Sequence, residues 1–62
     1  MSRYVIYYNT KQHQFRELAR HWKAWADTSG ISEIQRLGMS FFFRHIGKRF
    51  GLIKEFEEIG VI

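Results

Sequence analysis

Arg3-Tyr4-Val5-Ile6-Tyr7-Tyr8 is the one segment of the chain with the composition of a β-strand. Its β-branched and aromatic side chains suit a pleated surface, which predicts a strand over residues 3–8. One face would carry Arg3, Val5 and Tyr7, the other Tyr4, Ile6 and Tyr8. Both faces hold apolar bulk, so cover on both sides is expected. Asn9-Thr10 supplies a turn signal and a cap for the next element. A lone strand leaves its backbone groups without partners. Val61-Ile62 offers one short pairing segment, and the same strand of a second copy, in a homodimer, offers another. The sequence leaves both open.

Beyond this strand the chain reads as helical, punctuated by glycine. Gly30, Gly38, Gly51 and Gly60 each follow a helix-like stretch, where glycine accepts the left-handed conformation that ends a helix. Over residues 11–27, Phe15, Leu18, Ala19, Trp22, Trp25 and Ala26 recur at helical spacing and form one apolar stripe. Arg16, Arg20 and Lys23 make a basic row beside it. Residues 32–37 predict a short second helix, capped by Ser32 and stopped at Gly38. Ser40 caps a third helix over about 41–50, with Phe42, Phe43, Ile46 and Phe50 on one side. Phe41 falls on its polar side, between Arg44 and Lys48. Gly47 and Gly51 leave a groove for close packing, with Trp22 or Trp25 as the expected occupant. After Gly51, Leu52, Ile53, Phe56 and Ile59 predict a fourth helix closed by Gly60. The expected fold is therefore a mainly α single domain, residues 1–62, with one short N-terminal strand followed by three or four short helices.

Composition narrows the function classes. Sixty-two residues are too few for two domains. The absence of cysteine excludes a disulfide scaffold and a cysteine-ligated zinc site. Eleven aromatic side chains (two Trp, six Phe, three Tyr) argue against a disordered chain. The longest uninterrupted apolar run is Phe41-Phe42-Phe43, so no membrane span is expected. The start Met-Ser-Arg-Tyr lacks the pattern of a signal peptide, which favours a cytoplasmic location. His13, His21 and His45 are scattered, no glycine-rich phosphate loop follows a strand, and a chain this short has little room for a concave pocket. No enzymatic activity, cofactor or metal is expected.

Glu33-Ile34-Gln35-Arg36-Leu37-Gly38-Met39-Ser40 resembles the second helix and turn of helix-turn-helix DNA-binding proteins. In those proteins a Leu-Gly-hydrophobic-Ser turn leads into the recognition helix. The resemblance covers residues 33–46. It departs from the family at Ile34, where a small residue is usual, and at Arg44, where an apolar one is usual. Phe43 and Ile46 are one step out of register, and Gly47 falls inside the recognition helix. The resemblance implies a turn at Gly38 and a helix whose exposed side approaches DNA. Ribbon-helix-helix repressors share the order strand, helix, helix, but their strands carry polar base-reading residues where this chain has Tyr4, Ile6 and Tyr8.

The charge is uneven. The net charge is +4, and residues 1–54 hold all ten basic residues and only three acidic ones. Lys and Arg supply most non-specific nucleic-acid affinity through phosphate contacts. The first expectation is a small basic DNA-binding or nucleic-acid-associated regulator acting through Arg44, Lys48 and Arg49, supported by Arg36 and Arg20. The second is a protein-binding accessory subunit or inhibitor that docks on an acidic surface through Tyr4, Tyr8 and Phe41. A continuous basic stripe favours nucleic acid, and an apolar patch rimmed by basic residues favours a protein.

Overall fold

The computed structural model describes residues 2–62; Met1, the first residue of the expected domain, lies outside them. Three helices follow one another: α1, Arg3–Ser29; α2, Glu33–Phe50; and α3, Ile53–Ile59. No strand occurs among the described residues, which corrects the expected N-terminal strand and with it a dimer paired through that strand.

Residues 3–8 are helical for two reasons. Ser2 caps α1, its hydroxyl accepting from the Val5 amide at 3.2 Å. Tyr8 also extends the helical stripe of Phe15 and Trp22 backwards at seven-residue spacing. The Tyr8 ring packs 5.5 Å from Phe50, and Tyr4 stands 6.3 Å from Tyr8. A helix satisfies its own backbone, whereas a strand here has nothing to pair with. The propensity penalty for Val, Ile and Tyr is a few tenths of a kcal/mol each, roughly, and is readily overridden. Asn9 and Thr10 lie inside the helix instead of in a turn. Val61, offered above as a strand partner, is buried in the core.

The predicted second and third helices are one. Gly38 and Ser40 sit in the interior of α2 and neither ends nor caps a helix. Gly30, Gly51 and Gly60 take positive φ (62°, 70° and 94°), and Gly38 does not. Ser32 begins α2 with a reciprocal cap: Gln35 N donates to its hydroxyl at 3.2 Å, and its own amide donates to Gln35 Oε1 at 3.0 Å. The helix runs through Gly38 with Arg36 before it and Met39, Phe43 and Phe50 after it turned to one side, toward α1 and the core. An interior glycine costs about 1 kcal/mol, less than breaking that alignment would.

α1 and α2 form an antiparallel hairpin. Trp22 lies 6.1 Å from Phe43, Phe15 lies 5.3 Å from Phe50, and Gln12 Nε2 donates to the Phe50 carbonyl at 2.6 Å. α3 closes one side of the hairpin. Its Phe56 packs edge-on to Phe43 at 5.2 Å, and Glu55 takes both an Nε and an Nη contact from Arg16. Ala19, Phe43, Phe50, Leu52, Phe56 and Val61 make the buried core. Gly47 is buried at the α2–α3 crossing, where Ile53, and not a tryptophan, fills the space beside it. The molecule is 43 Å long and about 17 Å wide. A 27-residue helix accounts for that length, so Arg3–Tyr7 projects past the C-terminal end of α2.

Candidate docking face

The basic residues do not form one stripe. On α1, Arg16 is held by Glu55, Arg20 by Glu17 at 3.0 Å and Lys23 by Asp27 at 3.3 Å. The hydrogen-bonded ion pair with Arg16 pulls the Glu55 carboxyl below the usual glutamate range and raises the Arg16 guanidinium. On α2, Arg36 turns toward α1, donating to the Ala26 carbonyl at 3.2 Å and lying 3.9 Å from Asp27. Arg36 and Arg20 are thus separated from the other expected site residues and already engaged. Arg44, Lys48 and Arg49 are exposed on the second half of α2 with no acidic partner among the described residues. Arg44 and Lys48 are four apart and share a face; Arg49 sits about a quarter-turn round, its guanidinium 5.6 Å from the Phe50 ring.

Phe41 shares the face of Arg44 and Lys48 and is 60% exposed. Neither α1 nor α3 covers it. The continuity of α2 extends this face toward its N-terminus. Ile34 (83% exposed) and Leu37 (57% exposed) lie within the same ~80° arc as Phe41, Arg44 and Lys48, at 100° per residue. Phe43 and Phe50 point more than a third of a turn from the centre of this arc, into the core. The outer side of α2 is therefore apolar in its first half and basic in its second. Gly38 lies at the edge of the apolar half, and a Cβ there would meet nothing within 4 Å.

Ile34 and Leu37 were not singled out by the sequence reading. Their signal is the phase of Phe43, Ile46 and Phe50, carried back through Gly38, which puts 34, 37 and 41 on the outer side. The expected partner residues are not brought together. Tyr4 is 72% exposed on the projecting end of α1, Tyr8 is half-buried against Phe50, and Phe41 belongs to the outer face of α2.

Among the described residues no cavity is found and no three His, Cys, Asp or Glu side chains converge. Among the described residues no helix is long and apolar enough to cross a membrane. Comparison with protein families, characterised proteins and solved structures finds no match.

Proposed function

We propose that this chain is a small non-catalytic, cytoplasmic protein-docking module whose binding face is the outer side of α2. One observation carries the reading: Ile34, Leu37 and Phe41 stand in solvent as a contiguous apolar patch, rimmed by unpaired Arg44 and Lys48. Large apolar side chains gathered on one exposed face mark an interaction surface, and aromatic anchors with arginine beside them dominate such surfaces. The basic rim steers the face toward a partner carrying acidic groups. Arg16, Arg20 and Lys23 of α1 are tied to carboxylates, so the basic row of α1 does not extend the charge of Arg44 and Lys48 across the hairpin. A photo-crosslinking phenylalanine analogue at position 41 should give a discrete protein adduct in the producing cell. The same group at Glu58, exposed on α3, should not. Equal adducts from both positions would refute the reading.

A nucleic-acid role is the second reading, supported by the exposed basic residues Arg44, Lys48 and Arg49 on α2, which have no acidic partner among the described residues. It requires salt-sensitive binding to duplex DNA of random sequence. The variants Arg44→Ala and Lys48→Ala should each weaken binding and flatten its salt dependence, while Arg20→Ala should change neither.

A further inference from the structure

We propose that the partner of the outer α2 face is a second copy of this chain, docked antiparallel through Ile34, Leu37 and Phe41. The inference rests on the docking reading above and names its occupant.

The face is self-complementary in one register. With a two-fold axis between Leu37 and Gly38, Ile34 of one copy meets Phe41 of the other. Leu37 of each copy meets Leu37 of the other beside the axis, while Gly38, about 100° round the helix, lies on the opposite flank.

Charge selects the orientation. Glu33 lies on the same flank of the face as Arg44. In an antiparallel pair like flanks meet, so each Glu33 stands beside Arg44 of the other copy. The axial offset between them is two residues, about 3 Å, within side-chain reach. A parallel pair would set Arg44 and Lys48 beside their own equivalents, where like charges repel. No other acidic residue of α2 lies on this face, and among the described residues Glu33 makes no ion pair.

Size sets the strength. A patch of three large side chains exposes a few hundred Å² of apolar surface per copy. Two copies would bury on the order of 1,000 Å², the lower edge of the range for specific interfaces. A reversible dimer with micromolar rather than nanomolar affinity is the expected result.

Sedimentation velocity of the purified chain, from micromolar to millimolar concentration, tests this. A reversible monomer–dimer equilibrium is expected. The double variant Leu37→Gln/Phe41→Gln should be monomeric throughout with an unchanged circular dichroism spectrum, since neither side chain is in the core. Glu33→Arg and Arg44→Glu should each weaken the dimer several-fold, and the two together should restore it. A chain that stays monomeric at millimolar concentration overturns the proposal. So does a dimer that survives Leu37→Gln/Phe41→Gln, which would place the contact elsewhere, such as the projecting Tyr4–Tyr7 end. If the purified chain is monomeric while position 41 still crosslinks a different protein, the second copy is refuted and the docking reading stands. If neither occurs, both fall.

Discussion

Gly38→Ala is expected to stabilise the protein, and the same substitution at Gly47 to destabilise it. Both glycines lie inside α2. At Gly38 the new methyl group meets nothing within 4 Å, and the backbone is not in the left-handed region. The change in helix propensity is then unopposed and contributes about 0.8–1.0 kcal/mol. For a domain of this size that raises Tm by roughly 4–8 °C. At Gly47 the propensity gain is the same, but the added Cβ falls 2.7 Å from Ile53 Cδ1 and 3.2 Å from the Ile53 backbone nitrogen. The ring of contacts around Phe56 leaves α3 little room to retreat, and overpacking of this kind costs about 1–3 kcal/mol. A net loss of roughly 1 kcal/mol follows. Urea unfolding monitored by far-UV circular dichroism reads both, at low protein concentration so that self-association does not add to stability. A destabilised Gly38→Ala variant would refute the reasoning. It would mean that Gly38 occupies a turn conformation closed to alanine, with two helices where α2 is described.

Three further outcomes follow from the packing. Phe43→Ala removes one of the two fully buried rings and should cost about 3–5 kcal/mol, enough to leave a domain this small largely unfolded by circular dichroism. Ser32→Ala removes one half of the reciprocal cap on α2 and should cost about 1 kcal/mol in urea unfolding, with Ser40→Ala, at a non-capping position, near neutral. Glu55 has a depressed carboxyl pKa in the folded state, so the Arg16 pair contributes stability at pH values above the ordinary glutamate range. That contribution is lost as pH falls through the lower folded value. Both side chains are partly exposed, which limits the effect to about 0.2–1 kcal/mol. Glu55→Gln should remove this part of the acid dependence of Tm without abolishing folding.

How much was legible in the sequence can be judged residue by residue. The caps at Ser32, Gly30, Gly51 and Gly60 were readable, because each is a local backbone requirement that one residue type meets. The last helix, with Phe56 turned inward, was readable from spacing alone. The segment 3–8 was not. Its strand-like composition reports only what the side chains tolerate, whereas the pairing of Tyr8 with Phe50 is a contact between residues far apart in sequence. Gly38 misled for the opposite reason. Four glycines looked alike as helix stops, and only the backbone of Gly38, without positive φ, and the shared side of Arg36 and Phe43 show that the helix passes through this one. That single misreading hid the docking face. With α2 divided at Gly38, Ile34 and Leu37 belong to a separate short helix of unknown orientation. With α2 continuous, they join Phe41 and the basic residues on one side. The pairing of Arg16 with Glu55 was likewise out of reach, because the two lie 39 residues apart.

The claim that the outer side of α2 binds a second copy of the chain is tested most directly by NMR. Amide spectra of the labelled chain would be recorded as it is diluted from millimolar to micromolar concentration. The account predicts concentration-dependent shifts confined to the outward-facing positions from Glu33 to Lys48, centred on Leu37 and Gly38. Spectra that do not change, or changes gathered on α3 or the Tyr4–Tyr7 end of α1, would contradict it.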